Sequence, residues 1–269
     1  MDLFNFQQGK VPILISMPHC GTSIPNEISD LLTKEARSTP DTDWHIPLLY
    51  NFLETLDISI ISSNISRYVV DLNRPPDGGA LYPGQNTTNL CPLNQFNGLH
   101  LYKNKKKLSL KEITNRKDCY WAPYHNQIVK EISRLKSLFG FVILYDAHSI
   151  ASEVPNLFSG KLPDLNFGTA KGESCDLRIE KAIENTLIKS PYSFAVNGRF
   201  VGGYITRHYG NPQNNIHSVQ MEISQINYMS EDKTFSFDQN RAQKLRSTLQ
   251  KIINILLLWN PRQFIGGKP

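Results

Sequence analysis

Two histidines and an aspartate in this chain have the residue types and positions of metal ligands. His19 comes just after the apolar run at residues 11–17, and His148 comes soon after the run at residues 141–145. Asp43 precedes a segment whose apolar residues have helical spacing. Two imidazoles and one carboxylate leave a fourth coordination position open for water, which is typical of catalytic rather than structural zinc. The spacing also allows a simpler interpretation, with structural histidines and a helix N-cap at Asp43.

Two further carboxylates stand where they could assist a metal site. Asp146 lies two residues before His148, so on a strand both side chains point to the same side. It could accept the second imidazole proton and fix the tautomer, or it could cap a turn. Glu222 lies inside the apolar run at residues 219–223, where a carboxylate without a partner is costly. It indicates either a buried ion pair with an arginine or a general base with a raised pKa.

Arginines supply candidate binding groups for an acidic substrate. Asn73 and Arg74 follow another apolar run and open a long irregular stretch. The guanidinium fork of an arginine matches a carboxylate well, because it can donate two parallel hydrogen bonds. Further candidates are Arg67, Arg199 and Arg207, each of which could equally be an ordinary surface arginine.

The elements that must position these residues alternate between strands and helices. Strands are predicted at residues 11–17, 58–61, 68–72, 141–145, 193–196, 203–206 and 219–223, and helices at 44–56, 108–116, 124–139, 176–188 and 238–258. Long irregular stretches separate them at residues 73–99 and 150–174. Apolar strands joined by helical crossovers predict an α/β fold with a mainly parallel sheet between helices, in one domain over residues 1–269. Ligands of such sheets bind outside the carboxyl ends of the strands, where His19 and His148 are placed.

Composition narrows the function classes. Apolar residues make up 40% and charged residues 20% of the 269 residues, which is typical of a folded domain. The densest basic run, at residues 103–107, lacks the interleaved aromatics of a single-strand binder, so we expect no nucleic-acid partner. The longest apolar run, at residues 252–259, is too short to span a bilayer. No signal peptide is visible, which favours a cytoplasmic location, and nothing indicates an oligomeric state.

The four cysteines contain no Cys-x-x-Cys pair, which argues against a zinc ribbon and a disulfide scaffold. Cys20 adjoins His19 and could be a nucleophile. Adjacent residues rarely present their side chains to each other, however, so a Cys–His pair here is disfavoured.

Ordered blocks of the sequence resemble the N-formylglutamate amidohydrolase (deformylase) family. The resemblance runs from about residue 11 to about residue 230. The matching blocks are residues 18–22, 42–45, 67–76, 81–85, 123–125, 146–150, 157–160, 197–200, 202–210 and 220–222. Cys20 departs from the family, which usually has Ser there, so its side chain is expected to be a bystander.

The family is related in fold to the zinc carboxypeptidases and aspartoacylases. The resemblance therefore implies a three-layer α/β/α sandwich with a mainly parallel mixed sheet, of the phosphorylase/hydrolase-like (zinc exopeptidase-like) type. It implies one zinc ion, or another divalent metal, on His19, Asp43 and His148. Asp41 remains a rival to Asp43, which we prefer because it adjoins Trp44 as in the family block.

The remaining expected roles come partly from the resemblance and partly from the residue types considered above. Glu222 would be the catalytic base and Arg67 would help to stabilise the oxyanion. Asp71 would support His19, as Asp146 would support His148. The substrate-binding residues would be Asn73, Arg74, Arg199, Tyr204 and Arg207.

The implied reaction is the hydrolysis of N-formyl-L-glutamate to formate and L-glutamate, the last step of one route of histidine degradation. A water on the zinc ion would attack the formyl carbon while Glu222 removes its proton. One alternative is a deformylase or deacylase of another N-acyl amino acid. The other is a non-catalytic small-ligand-binding protein on the same fold. In each case the partner is a small anionic molecule, and the net charge of +5 is compatible with it.

Overall fold

The computed structural model describes residues 2–79 and 88–264, and these contain a seven-stranded mixed sheet. Its strands are β1 (Phe4–Gln7), β2 (Ile13–Met17), β3 (Ser59–Ser63), β4 (Val142–Ile150), β5 (Leu165–Gly168), β6 (Phe194–Val196) and β7 (Ile216–Ser224). Their order in the sheet is β1-β3-β2-β4-β7-β5-β6. The four central strands β3, β2, β4 and β7 are parallel to one another. Strand β1 is antiparallel to β3, and β5 is antiparallel to β7 but parallel to β6.

Helices cover both faces of the sheet. They are α1 (Asn26–Ser29), α2 (Ile46–Leu49), α3 (Leu110–Arg116), α4 (Ala122–Phe139), α5 (Leu177–Ile188), α6 (Tyr204–Tyr209) and α7 (Gln239–Leu258). Side chains alternate between the two faces of each strand. In β2, Ile13 and Ile15 pack with α2, α5 and α7, whereas Leu14 packs with α4 and α6 on the opposite face. The predicted three-layer α/β/α fold is thereby confirmed.

Local sequence signals fix the ends of the main helices. Helix α4 has a proline in its first turn and ends at Gly140, whose φ of 80° is a left-handed conformation that glycine adopts without strain. Helix α7 begins after Asp238, whose carboxylate accepts hydrogen bonds from two backbone N–H groups of the first turn. Within the described residues, no helix is both long enough and apolar enough to cross a membrane.

Three predicted elements were wrong. Residues 68–72 were predicted as a strand but form turns and irregular backbone. A mainly apolar run has no period that separates a strand from a buried loop. Residues 203–206 were predicted as a strand and instead begin helix α6. The predicted helix at residues 44–56 is divided into the short α2 and a 3-10 turn at Asn51–Thr55.

Two strands at the sides of the sheet were not predicted. Strand β1 is a short edge strand, and the four-residue β5 lies within the stretch that was predicted to be irregular. Strand β4 is also longer than predicted. It continues through Asp146 and His148 as far as Ile150, and this extension brings both residues into register with β7.

Candidate metal and catalytic site

Polar side chains gather at the carboxyl ends of β2, β4 and β7. His19 follows β2, and His148 on β4 is the register partner of Glu222 on β7. All three line one cavity. The other lining residues are Arg67, Asn73, Arg74, Thr88, Phe96, Ser149, Ile150, Leu157, Arg199, Phe200, Gly203 and Gln220. The cavity therefore lies where ligands of a parallel sheet are expected to bind.

The three predicted ligands lie together. One ligand atom each from His19, Asp43 and His148 fall within 4.8 Å of one another, and all three residues are buried. His148 Nδ1 lies 2.9 Å from Asp43 Oδ2, and His19 Nδ1 lies 3.8 Å from the same oxygen. The backbone also holds Asp43, since its N–H donates to the carbonyl oxygen of His19 at 3.0 Å.

The far nitrogen of each imidazole is held by a carboxylate. His19 Nε2 lies 2.7 Å from Asp71 Oδ1, and His148 Nε2 lies 2.7 Å from Asp146 Oδ2. Each imidazole therefore presents its Nδ1 to Asp43. This carboxylate–histidine arrangement is the usual way in which proteins orient histidine ligands of a metal ion.

Asp41, the rival to Asp43, lies outside this cluster. Its Oδ2 accepts a hydrogen bond from the Tyr68 hydroxyl at 2.7 Å and another from the backbone N–H of Phe96 at 2.8 Å. Burial raises the pKa of its carboxyl group. Asp41 therefore holds the backbone of Phe96, which lines the cavity, and does not belong to the His–Asp–His cluster.

Burial and neighbouring charges shift the pKa values of all three clustered residues. Burial lowers the pKa of His19, and the guanidinium of Arg67 adds to this effect, so the imidazole is neutral and can donate a lone pair. Burial opposes a charge on His148, but Asp146 and Asp43 outweigh it and raise the pKa. Burial likewise opposes a charge on Asp43, yet Arg67 and the imidazoles keep its pKa low. An ionised carboxylate that faces two imidazole nitrogens is a donor set that suits zinc.

Glu222 is buried beside this cluster. Burial raises its pKa to about 8, and the Asp43 carboxylate adds to the rise, whereas His148 and Arg67 oppose it. A carboxyl group with such a pKa can both accept and return a proton near neutral pH.

Gln220, which was not predicted, contacts Glu222. The two residues lie two apart on β7 and so share a face of the strand. Gln220 Oε1 accepts from the backbone N–H of Gly203 at 2.7 Å, and this contact fixes the orientation of its amide. Its Nε2 then faces Glu222 Oε2 at 3.4 Å. The signal that could have found it is a second polar residue in the apolar run that contains Glu222.

Arg67 lies directly at the ligand atoms. Its Nη2 contacts His19 Nδ1 and donates to Asp43 Oδ1 at 3.1 Å. The guanidinium packs over the ring of Phe96, 4.8 Å from the centroid. The structure therefore places a buried positive charge beside the three candidate ligands, at the wall of the cavity.

Both polar atoms of the Asn73 amide form hydrogen bonds within the protein. Its Oδ1 accepts from the backbone N–H of Ile205 at 2.8 Å, and its Nδ2 donates to Asp146 Oδ2 at 3.1 Å. Asn73 thus links the first turn of α6 to the carboxylate that holds His148. It lines the cavity, but its polar atoms already have protein partners.

Gly203 packs against the Asn73 amide so closely that no side chain fits. A Cβ atom at this position would lie 2.3 Å from Asn73 Nδ2. We expect Gly203→Ala to displace Asn73, to lower the free energy of unfolding by about 1–3 kcal/mol and to weaken the metal site through Asp146. Urea unfolding and metal content measure the two effects. Gly79→Ala is the control, since its nearest neighbour is the mobile end of the Asp77 side chain. Equal stability and metal content in both variants would contradict this role of Asn73.

Two of the predicted substrate-binding arginines line the cavity. Arg74 donates from Nε to the carbonyl oxygen of Thr88 at 3.0 Å, and Arg199 donates from Nη2 to that of Leu157 at 3.1 Å. The Arg199 guanidinium also lies over the ring of Phe200, 5.6 Å from its centroid. Both keep cationic charge at the cavity wall.

The other two predicted binding residues lie away from the cavity. Tyr204 packs against Trp121 and His125, with ring centroids 5.7 Å and 5.5 Å away. Arg207 is exposed on α6, and its Nε donates to the carbonyl oxygen of Gly202 at 2.8 Å. The structure does not bring either side chain to the described lining of the cavity.

Trp121 and His125 support the segment that carries Arg74, although the sequence assigned them no role. Trp121 Nε1 donates to the carbonyl oxygen of Arg74 at 3.0 Å, and His125 Nε2 lies 2.9 Å from that of Leu72. The two rings stack with centroids 3.8 Å apart. Trp121 ends the π-helical turn at Lys117–Trp121, an irregularity that is frequent at functional sites.

Cys20 is not placed as a nucleophile. Its Sγ lies 3.3 Å from the carbonyl oxygens of both Met17 and Ser63. Burial raises the pKa of the thiol to about 12, so the reactive thiolate does not form near neutral pH.

Comparison with known proteins matches the same stretch of chain that carries the site. The family model for N-formylglutamate amidohydrolase matches residues 11–229. N-formylglutamate deformylase of Pseudomonas putida is 43% identical over 263 residues, which cover 97% of this chain and 98% of the relative. The protein of the same description from Pseudomonas aeruginosa is 44% identical over 264 residues, covering 98% and 99%.

Solved structures show the same fold. The crystal structure of N-formylglutamate amidohydrolase from Ralstonia eutropha superposes with a TM-score of 0.82 at 21% identity, covering 95% of this chain and 97% of that one. A gene product from Agrobacterium tumefaciens superposes with a TM-score of 0.71 at 16% identity, covering 95% and 96%. One of the sequence blocks, residues 81–85, lies outside the described residues. With the family model over most of its length and relatives above 40% identity over nearly all of it, the chain belongs to the N-formylglutamate amidohydrolase family.

Proposed function

We propose that this protein is a metal-dependent amidohydrolase that hydrolyses N-formyl-L-glutamate to formate and L-glutamate. The two Pseudomonas relatives carry the name of this activity. The observation that carries the proposal is one cavity lined by both histidines of the His–Asp–His cluster, by a buried glutamate and by three arginines. The products, formate and glutamate, suit the last step of histidine degradation, and we include that role in the proposal.

The metal would be held by His19 Nδ1, His148 Nδ1 and Asp43. Three protein ligands leave a position open for water or substrate, and nitrogen and oxygen donors favour zinc, although another divalent ion also suits them. When bound, such an ion lowers the pKa of a water molecule and polarises a carbonyl group.

Glu222 would move the proton. Its carboxylate takes a proton from the water that attacks the formyl carbon, and it then returns this proton to the leaving amine nitrogen. One group can do both because burial brings its pKa close to neutrality. The contact with Gln220 holds one carboxylate oxygen in place during these transfers.

Arg67 would stabilise the oxyanion that forms from the formyl oxygen. A single lone pair on His19 Nδ1 cannot both accept from Arg67 and bind a metal ion. Metal binding therefore requires the Arg67 guanidinium to release that nitrogen while its charge stays at the cavity wall. There it can stabilise the negative charge that develops on the formyl oxygen, a role worth about 3–4 kcal/mol for a well-placed donor.

Arg74 and Arg199 would bind the two substrate carboxylates. We expect Arg74→Ala and Arg199→Ala each to raise the KM about 10–100-fold, because each removes charge-assisted hydrogen bonds worth about 1.5–3 kcal/mol. Steady-state kinetics with metal analysis tests this, and the metal content should not change. Arg207→Ala is the matched control and should leave KM unchanged. If Arg207→Ala raised KM and the other two variants did not, the carboxylates would bind elsewhere.

A comparison of three substrates tests the specificity for the acyl group and for the amino acid. We expect kcat/KM to be highest for N-formyl-L-glutamate, lower for N-formyl-L-aspartate and lower for N-acetyl-L-glutamate. A preference for the acetyl substrate would make the protein a deacylase of other N-acyl amino acids. Binding of these compounds without any hydrolysis would favour the non-catalytic alternative.

A further inference from the structure

We infer that Tyr228, Gln225 and Ser149 act together as positioning residues for Asp43, and we call these three residues the Asp43 support. The inference rests on the proposed function, because it concerns the aspartate that would bind the metal. None of the three was predicted to have a role, and only Ser149 lines the cavity. All three side chains are buried.

The Asp43 support holds the peptide groups on both sides of Asp43. The hydroxyl of Tyr228 lies 2.8 Å from the carbonyl oxygen of Trp44, the residue after Asp43. Gln225 Nε2 donates to the carbonyl oxygen of Thr42, the residue before Asp43, at 3.0 Å. Both side chains come from the short segment that follows β7. Two residues of one turn thus fix the backbone on either side of one proposed ligand.

Ser149 joins these two contacts to the carboxylate itself. Its Oγ lies 2.7 Å from the Tyr228 hydroxyl and accepts from Gln225 Nε2 at 3.3 Å. Its backbone N–H donates to Asp43 Oδ2 at 3.2 Å. Ser149 directly follows His148, so the residue that holds the Asp43 carboxylate is the chain neighbour of another proposed ligand.

The protons of this network have one consistent arrangement. A carbonyl oxygen can only accept, so the single proton of the Tyr228 hydroxyl goes to Trp44. The Ser149 hydroxyl then donates to the oxygen of Tyr228. The amide of Gln225 has two protons, one each for Thr42 and Ser149. Every contact therefore has a donor and an acceptor, and none needs a charged group.

This support matters because Asp43 lies on an irregular segment. It sits between the 3-10 turn Ala36–Ser38 and helix α2, and His45, two residues further on, has a left-handed φ of 60°. A rotation of either flanking peptide would move the carboxylate away from the imidazoles. The support also ties this segment to Gln225, which directly follows β7 and lies three residues beyond Glu222. It thereby sets the position of the proposed ligand relative to the proposed base.

The test compares two buried tyrosine hydroxyls. Tyr228→Phe removes the hydroxyl from the support. Tyr50→Phe removes a hydroxyl in the same core that bonds to Tyr145 at 2.8 Å instead of to Thr42 or Trp44. The affinity for zinc is measured by competition with a chelator, and the ligand geometry from the visible spectrum of the cobalt-substituted protein. Thermal unfolding of the metal-free variants measures the purely structural cost.

We expect both variants to lose similar thermal stability without metal, but only Tyr228→Phe to weaken zinc binding, by about 10–100-fold, and to change the cobalt spectrum. Gln225→Met should weaken zinc binding to the same extent, and it tests the inference if Tyr228→Phe does not fold. Zinc affinity and cobalt spectra equal to those of the unmodified chain would overturn the inference. If the unmodified chain bound neither zinc nor cobalt, the proposed metal site itself would be refuted, and the inference about the Asp43 support would have no basis.

Discussion

Glu222→Gln is expected to lower kcat about 10²–10⁴-fold while the chain binds as much metal as the unmodified protein. Glutamine has the size of glutamate and can still contact Gln220, but its amide can neither accept nor return the proton of the attacking water. Because Glu222 is not one of the three clustered ligands, the metal content should be unchanged. Formate release and metal analysis of the same sample measure both quantities.

Glu131→Gln is the matched control for this variant. Glu131 is also a buried glutamate, but it lies on α4 and accepts hydrogen bonds from Ser59 and Arg134, away from the cavity lining. Its replacement should lower stability and leave kcat unchanged. A Glu222→Gln enzyme with normal turnover would show that another group transfers the proton.

His148→Ala is expected to abolish both metal binding and activity. The substitution removes one of three ligands and leaves the Asp146 carboxylate, which is fully buried, without the imidazole it contacts at 2.7 Å. Asp146→Asn should have a weaker effect, lowering the metal affinity about 10–100-fold, because the imidazole remains but loses its carboxylate partner. Metal content after dialysis against a weak chelator distinguishes the unmodified protein, His148→Ala and Asp146→Asn.

A buried histidine outside the cluster provides the control. His217 on β7 is as buried as His148, but its Nδ1 accepts from the backbone N–H of Asp176 at 3.1 Å. Burial lowers its pKa to about 4. His217→Ala should lower stability and keep the metal. A His148→Ala protein with full metal content would refute the ligand assignment.

Much of the candidate site could be predicted because polar residues interrupt apolar runs. Glu222 and Asp146 stand out in segments that otherwise read as buried strands, and the parallel sheet brings the ends of those strands together. Asp43 was harder to assign, since a helix N-cap explained it equally well. The structure shows no such cap, because α2 begins after His45 without a side-chain cap.

Helix α6 shows why local pattern fails for short elements. Residues 203–206 contain tyrosine, isoleucine and threonine, which favour strands. Tertiary contacts decide the outcome, because Gln220 accepts the N–H of Gly203 and Asn73 accepts that of Ile205. These side chains satisfy N–H groups that have no partner inside the first turn of a helix.

The Asp43 support could not be predicted at all. Its contacts join residues 42–44, 149 and 225–228, which are far apart in the chain. Two of its hydrogen bonds end on backbone carbonyl oxygens, and such contacts impose no residue type on the accepting position. Sequence patterns report periodicity and burial, whereas hydrogen bonds of this kind depend on the completed fold.

Zinc titration of the chelator-treated protein, followed by formate release from N-formyl-L-glutamate, tests the central claim most directly. The proposal predicts no activity without metal and a linear rise in formate release that ends at one zinc ion per chain. The Glu222→Gln variant should bind the same amount of zinc and release almost no formate. Full formate release from the metal-free chain, or none at any zinc concentration, would contradict the proposal.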